Sequence, residues 1–76
     1  MTRLPVVSGR GAVKAFEGDG WRQLPRRRGS HMLLVKPGVP AALTVPDHKE
    51  LGRGTLRTLI REAGLTVAQF MELLDQ

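Results

Sequence analysis

The stretch HMLLVK, residues 31–36, decides the fold that this sequence predicts. Its run of consecutive apolar side chains leaves no polar face, which is typical of a central strand covered on both sides. A Gly-Ser pair precedes the stretch and the segment KPGVP follows it, and both are typical of turns. The stretch therefore predicts the middle strand of an antiparallel meander. The pattern leaves open whether Met32 and Leu34 or Leu33 and Val35 face the helices.

Two further strand candidates flank this stretch. WRQLPRRR, residues 21–28, contains Pro25, which cannot donate a ladder hydrogen bond and so predicts an edge strand or a bulge. AALTV, residues 41–45, follows the second turn and completes the meander. The three segments together predict a three-stranded antiparallel sheet.

A short helix is predicted before the sheet. Ser8 has the position of an N-cap, and the helix runs from there to about Gly18. Val13 and Phe16 are predicted to face inward, and Gly20 to end the helix. This segment therefore contributes one amphipathic helix to the fold.

After the predicted sheet, the spacing of the apolar residues becomes that of a helix, within ELGRGTLRTLIREAG, residues 50–64. Gly64 lies where a helix terminates, and a second, short helix begins at Thr66, which forms a T-x-x-Q capping box with Gln69. The predicted inward side chains of the first helix, at the i, i+3, i+4, i+7 spacing, are Leu56, Leu59, Ile60 and Ala63. Those of the second helix are Val67, Phe70, Met71 and Leu74.

The resulting order is α-β-β-β-α with a short C-terminal helix, in a single domain spanning residues 1–76. Helices at both ends of a meander pack on one face of the sheet and leave the other face open, so we predict an α+β fold with an open-faced sheet. The chain has no cysteine, and its longest apolar run, MLLV, is far too short to cross a membrane. We therefore expect a cytoplasmic protein without disulfides or a membrane segment.

Basic residues are concentrated in the first half of the chain. Residues 1–36 hold eight Lys and Arg against two acids, a net charge of +6, whereas residues 37–76 hold four against five, a net charge of −1. A basic half beside a nearly neutral half favours a polyanionic partner on one side of the molecule. Excess charge also serves solubility in small proteins, so charge alone does not decide between the two interpretations.

Arg26, Arg27 and Arg28 lead through the Gly-Ser turn to His31, and this is the strongest chemical signal in the basic half. Guanidinium groups bind phosphate in a bidentate manner. An imidazole, with an ordinary pKa of about 6.5, can take or give a proton near neutral pH. The plainer interpretation is an exposed histidine beside solvated arginines.

The letters Gly-Ser-His-Met at this point also match the remnant that cleavage of a common purification tag leaves behind. A remnant here would reduce the chain to residues 32–76, which is too short to hold a core comfortably. The upstream segment also has a helix cap, a helical period and a helix stop. We therefore interpret the segment as native.

His48 and Lys49 lie just before the second helical segment, with Arg53 close by. Helix N-termini attract phosphate through free N–H groups, so His48 and Lys49 are predicted auxiliary groups. The alternative for His48 is a loop histidine hydrogen-bonded to Asp47 or to the backbone. The two histidines of the chain fit no common zinc spacing, and no metal or other cofactor is expected.

LIREAGLTVAQF, residues 59–70, suggests a different class of protein, because it resembles the helix-turn-helix of DNA-binding regulators. The helix that would read DNA carries Glu72 and Asp75 and no basic residue, so it would repel phosphates and no direct DNA binding is expected. A third hypothesis is a non-catalytic RNA-binding module, in which His31 only contacts backbone or base.

Four segments in order resemble the HicA family of bacterial mRNA interferase toxins: SGRGAVKAFEGDGW, RRGSHM, TVPDHKEL and GTLRTLIREAGLTVAQF. The resemblance implies a double-stranded-RNA-binding-domain-like fold and the toxin role of a type II toxin-antitoxin system. It also implies metal-independent cleavage of mRNA by His31 and neutralisation by a HicB-type antitoxin.

Under this interpretation His31 is the general base that takes the proton from a ribose 2′-OH. The general acid is His48, Lys49 or water, and the sequence does not choose among them. An apolar strand beside His31 predicts a basic-rimmed apolar patch, which an acidic antitoxin would cover together with His31. The predicted RNA-binding residues are Arg26, Arg27, Arg28, Lys36 and Arg53.

Overall fold

The computed structural model describes residues 3–76 and has the predicted order of helices and strands. Both outer strands pair antiparallel with the second strand, which is therefore central, and the α+β fold predicted from the sequence is confirmed. The elements are α1 (Gly9–Gly18), β1 (Arg22–Arg28), β2 (His31–Lys36), β3 (Val39–Pro46), α2 (Arg53–Glu62) and α3 (Val67–Leu74). Within the described residues, no helix is long and apolar enough to cross a membrane.

β2 alternates between the two faces of the sheet. Met32 and Leu34 are 1% and 0% exposed, whereas Leu33 and Val35 are only partly buried. Because residues two apart on a strand share a face, Met32 and Leu34 face the helices and the other two face the open side. The strand lacks a polar face because its open side is also apolar, and not because both sides are covered by this chain.

The core lies between the helix-facing side of the sheet and the three helices. Phe16 of α1 and Phe70 of α3 are both fully buried, and their ring centroids lie 5.2 Å apart at an angle of 49°, a favourable tilted arrangement. The largest fully buried side chains are Trp21, Phe16, Phe70, Met32, Leu34, Leu43, Leu56, Ile60 and Val45. Every helix and strand except β1 therefore contributes a fully buried side chain to one core.

The short helix α3 is less buried than the sequence predicts. Only Phe70 is fully buried, while the other predicted inward residues, Val67, Met71 and Leu74, are partly exposed. The reason is that α3 packs mainly on α1 and α2. Phe70 is thus the buried anchor of α3, while Val67, Met71 and Leu74 pack against the margin of the core.

Local signals in the sequence form as predicted. Ser8 caps α1 by accepting a 2.9 Å hydrogen bond from the Gly11 N–H, and Thr66 and Gln69 form the capping box of α3. α2 is shorter than the helical pattern and begins at Arg53. Its end is followed by Gly64 with φ 77°, the left-handed conformation common after a helix.

Two-residue turns close both hairpins of the sheet. Gly29, with φ 60°, opens the turn before β2, as a type II′ turn requires. Gly38, with φ 84°, follows Pro37 in the turn after β2, as a type II turn requires. Because this second turn is so short, β3 begins at Val39, before the predicted start at residue 41.

β1 is an edge strand with an irregular centre. Gln23 pairs with Leu34 and Arg27 pairs with Met32. Between these two pairs β1 contains two more residues than β2, so the register shifts there. Pro25 lies inside the bulge, as its missing N–H predicts. The bulge separates the arginines at the end of β1 from the first half of the strand.

Candidate functional site

His31 is the first residue of β2 and directly follows the Gly29 turn. It pairs with Arg28 of β1 on one side and with Pro46 of β3 on the other. Since Leu33 lies two residues further along the strand, His31 shares its open face. The residue is partly buried, and the side-chain hydrogen bonds within residues 3–76 include none to its imidazole. The sheet thus holds His31 from both sides at one end of the open face.

The three consecutive arginines before the turn do not form one cluster. Arg28 lies opposite His31 and therefore shares the open face, whereas Arg27 lies opposite the buried Met32 and therefore faces the helix side. There Arg27 lines a groove between α1 and β1, whose other residues are Arg10, Val13, Lys14, Glu17, Gln23 and Met32. Arg26 is exposed and lies within the bulge of β1. Of the three, Arg28 is the one that the strand pairing brings to His31.

Asp47 contacts several segments at the His31 end of the molecule. The sequence indicates Asp47 only as a hydrogen-bond partner of His48. Its Oδ2 accepts a 2.7 Å hydrogen bond from Arg27, and its Oδ1 accepts one of 3.2 Å from the Arg10 Nε. Its backbone N–H donates to the Ser30 carbonyl at 3.0 Å. Asp47 therefore ties α1, the end of β1 and the turn before His31 to the segment after β3.

The two guanidinium groups hold the pKa of the Asp47 carboxyl below its ordinary value, chiefly through the hydrogen bond from Arg27 and then through that from Arg10. Asp47 in turn raises the pKa of Arg10, mainly through the same hydrogen bond. The carboxylate therefore stays ionised at neutral pH and balances part of the arginine charge.

No local spacing indicates these contacts in the sequence. Arg10 is 37 residues from Asp47, and Arg27 is 20 residues away. Only the pairing of β2 with β3 brings Asp47 beside the turn, because His31 pairs with Pro46. A correct alignment of β2 with β3 would have predicted that Asp47 lies near His31. It would not have predicted that Arg10 and Arg27 bind Asp47.

His48 and Lys49 are exposed and lie in the segment between β3 and α2. Their carboxyl neighbour Asp47 is engaged by arginines, so the predicted alternative of a His48–Asp47 hydrogen bond does not form. The backbone carbonyl of His48 instead accepts a 2.9 Å hydrogen bond from the Gly9 N–H at the start of α1. The backbone at His48 is therefore held in place, while the side chains of His48 and Lys49 remain at the surface. Both residues closely follow Pro46, the strand partner of His31.

The close contact between α1 and the end of β3 needs a glycine. A Cβ added at Gly9 would lie 3.0 Å from the carbonyl carbon of Pro46 and 3.3 Å from the Cα of Asp47, and would overlap the Pro46 carbonyl oxygen. Gly9 therefore allows α1 to approach the segment that carries Asp47 and His48.

Arg53 begins α2 and is exposed. Its neighbour Gly54 lines a groove with Pro46, the strand partner of His31, together with Thr44, Thr55, Thr58, Leu59 and Glu62. The start of α2 therefore lies on the same end of the molecule as His31.

Lys36 lies apart from these residues. It ends β2, about 16 Å along the strand from His31 at roughly 3.3 Å per residue. Its ammonium group forms a 3.1 Å ion pair with Asp19. The structure therefore does not bring Lys36 together with the other predicted RNA-binding residues.

Within residues 3–76 no three His, Asp or Glu side chains lie close enough together to hold a metal ion. The groups that the structure brings together at this end of the molecule are the His31 imidazole, the guanidinium groups of Arg10, Arg27 and Arg28, and the Asp47 carboxylate.

Residues 9–65 match the model of the family described as HicA toxin of bacterial toxin-antitoxin. The chain belongs to the HicA toxin family. A solved structure, a toxin-antitoxin complex from Streptococcus pneumoniae, contains a chain that is 30% identical, with a TM-score of 0.71. The match covers 78% of the present chain and 98% of that chain. A search of curated protein sequences gives no match.

The HicA family match confirms the resemblance drawn from four sequence segments and gives the chain a toxin role. The matched region begins at the first residue of α1 and ends just after α2. His31, Arg28 and Asp47 all lie inside it, whereas α3 lies outside. The helix that a DNA-binding interpretation needs is therefore not part of the HicA match.

Proposed function

We propose that this HicA-family toxin is a metal-independent endoribonuclease that cleaves mRNA, with His31 as general base. The observation that carries the proposal is the position of His31 at the end of the open sheet face. It lies opposite Arg28, and no side chain of residues 3–76 hydrogen-bonds to its ring. An accessible imidazole beside a guanidinium group suits proton transfer next to a phosphate.

In the proposed reaction, a ring nitrogen of His31 removes the proton from a ribose 2′-OH. The 2′ oxygen attacks the adjacent phosphorus in line, and Arg28 stabilises the negative charge that develops on the phosphoryl oxygens. The bond from phosphorus to the 5′ oxygen then breaks, and that oxygen takes a proton from His48, Lys49 or water. The products are a 2′,3′-cyclic phosphate and a 5′-OH end.

The RNA backbone is proposed to pass His31 between the end of β1 and the start of α2. Arg28 beside His31, Arg26 in the bulge and Arg53 at the start of α2 supply the phosphate contacts on this path. Lys36 is left out of the proposed path, because Asp19 pairs with it at the far end of β2. The contacts are to the backbone, so they favour RNA binding of low sequence specificity.

The proposed partner is an acidic, HicB-type antitoxin that covers the open face. Leu33 and Val35 give that face an apolar centre, and His31 and Arg28 lie at its end. An apolar centre with a charged rim suits a protein partner, and a single contact would bury the patch and block His31. The similar solved structure is itself a toxin-antitoxin complex, which supports a partner of this class.

The direct test is to incubate the purified protein with end-labelled single-stranded RNA in EDTA and to identify the ends of the products. We expect cleavage that leaves 2′,3′-cyclic phosphate and 5′-OH ends, and no cleavage by His31→Ala. The matched control is Lys36→Ala, which truncates a side chain at the other end of β2 and leaves the proposed base and the candidate acids in place.

Other outcomes of this test point to other functions. Cleavage that requires a divalent ion would contradict the proposed mechanism. RNA that is bound but never cut would indicate a non-catalytic RNA-binding module. Binding to duplex DNA alone would revive the helix-turn-helix hypothesis.

A further inference from the structure

Asp47 contacts two arginines, Arg10 and Arg27, and also the turn beside His31, and the proposed reaction does not use it. Its carboxylate accepts hydrogen bonds from Arg27 at 2.7 Å and from Arg10 at 3.2 Å. Its side chain is only 19% exposed, against 75% for Arg10 and 38% for Arg27. The contact with Arg27 is therefore both the shorter and the less solvated of the two.

Both groups that Asp47 holds are covalently next to the proposed site. Arg27 precedes Arg28, the strand partner of His31, and Ser30 precedes His31 itself. Asp47 holds Arg27 through its carboxylate and the Ser30 carbonyl through its backbone N–H, at 3.0 Å. Asp47 thus contacts both the end of β1 and the turn that precedes His31.

We propose that Asp47 is a positioning residue for RNA cleavage, which fixes the Gly29 turn through Arg27 so that His31 and Arg28 keep a productive geometry. This inference rests on the proposed function. It also divides the arginines by role: Arg28 contacts phosphate, whereas Arg27 is committed to Asp47 and does not contact RNA.

The charges around Asp47 support this division of roles. Without the carboxylate, Arg10 and Arg27 would repel each other, and Arg27 would be released as one more mobile cation near the RNA. RNA binding would then be unchanged or tighter, because long-range attraction to phosphate rises with net charge. Cleavage would be slower, because the turn that carries His31 loses a tether and small errors in position are costly to catalysis. A loss of rate without a loss of affinity is therefore the signature of positioning.

The test compares Asp47→Asn with Asp19→Asn in the full chain. Both substitutions remove one negative charge from a partly buried ion pair, and Asp19 lies at the Lys36 end of the sheet, away from His31. Asp47→Asn keeps the backbone hydrogen bond to Ser30, so it isolates the carboxylate. The readouts are the cleavage rate constant with RNA saturated by excess protein, and the Kd for the same RNA carrying a 2′-deoxy substitution at the cleaved position.

We expect the rate constant of Asp47→Asn to fall about five- to tenfold, with a Kd that is unchanged or tighter. Asp19→Asn should keep the wild-type rate constant and show the same small change in Kd. Equal rate constants for Asp47→Asn and the wild type would overturn the proposal. Faster cleavage would do so too, because it would make the carboxylate a competitor of phosphate. If the wild-type protein cleaves no RNA, the proposed function fails first.

Arg27→Gln supplies an independent test should Asp47→Asn fold poorly, which thermal unfolding followed by circular dichroism would reveal. We expect Arg27→Gln to slow cleavage by a similar factor, and the double variant to be no slower than either single one, because both changes break the same contact. If Arg27→Gln instead weakened RNA affinity at an unchanged rate constant, Arg27 would be a phosphate contact and the positioning role would be wrong.

Discussion

The two ends of β2 are built alike but differ in how their charges are matched. Each end is closed by a two-residue turn with a glycine at positive φ, and each has an ion pair at its margin. At the Lys36 end the Lys36 ammonium group pairs with the Asp19 carboxylate, and Arg22 lies nearby, opposite Val35. At the His31 end Asp47 alone is shared between Arg10 and Arg27, while Arg28 lies beside His31.

This difference favours the His31 end as the place where RNA would be cleaved. Both ends keep positive charge, at Arg22 and at Arg28, but the His31 end places it next to an imidazole that no side chain of residues 3–76 engages. A phosphate held by Arg28 would lie beside a group that can transfer a proton, whereas a phosphate held by Arg22 would not. The imidazole beside Arg28, more than the charge of either end, distinguishes the proposed site.

The largest effect is expected from removing the imidazole at the His31 end. His31→Ala should lower the RNA cleavage rate at least about 100-fold and abolish growth arrest on expression, because it removes the proposed base. Its free energy of unfolding should stay within about 1 kcal/mol of the wild type, because a residue at a turn edge buries little. The comparison is Lys36→Ala at the other end, which should cleave at the wild-type rate. A His31→Ala protein that failed to fold would indicate a structural histidine instead.

The next effect concerns the apolar centre that lies between the two ends. Leu33→Asp should weaken antitoxin binding by about 10- to 100-fold, because it places a charge in the centre of the proposed interface. Val6→Asp is the matched control, since Val6 is a large apolar residue that is 70% exposed and lies outside the sheet. Titration calorimetry with the antitoxin would measure both affinities. Equal affinities for the two variants would rule out occlusion of the open face.

Much of this fold could be predicted because its signals are local. Capping by Ser8 and Thr66, the helical period of α2 and the turn before His31 each depend on residues that are neighbours in the chain. Such signals survive packing because they satisfy backbone groups wherever the element finally lies. The position of His31 at the start of a central strand followed from the same kind of evidence.

The face of β2 and the roles of the arginines could not be predicted in the same way. A strand that is apolar on both sides has no alternation to read, so burial of Met32 rather than Leu33 depends on where the helices pack. The bulge at Pro25 sets which arginine lies opposite which residue of β2. The Asp47 contacts join segments that are far apart in sequence, and only the folded sheet brings them together.

A smaller effect should distinguish the cations at the two ends. Arg28→Gln should weaken RNA binding about three- to tenfold and lower the slope of log K against log salt by about 0.7, as the loss of one phosphate contact on single-stranded RNA does. Lys36→Gln removes the same charge from the end where Asp19 already neutralises it, so its slope should match that of the wild type. Binding measured across a salt series separates the two variants. An equal fall in slope for both would mean that the whole sheet, and not its His31 end, contacts RNA.

The smallest effect concerns stability at the His31 end as the pH is lowered. Because Arg27 and Arg10 hold the pKa of the Asp47 carboxyl below its ordinary value of 3.8, the unfolded chain binds that proton more tightly than the folded chain does. The stabilisation from the carboxylate is therefore complete well above 3.8 and is lost as the pH falls through the folded-state pKa. We expect urea unfolding near neutral pH to show a small deficit for Asp47→Asn, since solvent screens these contacts, and the deficit to close as the pH falls below about 4. A deficit that stayed constant over the whole range would mean that the amide disturbs packing, and the charge balance at this end of β2 would then have no part in stability.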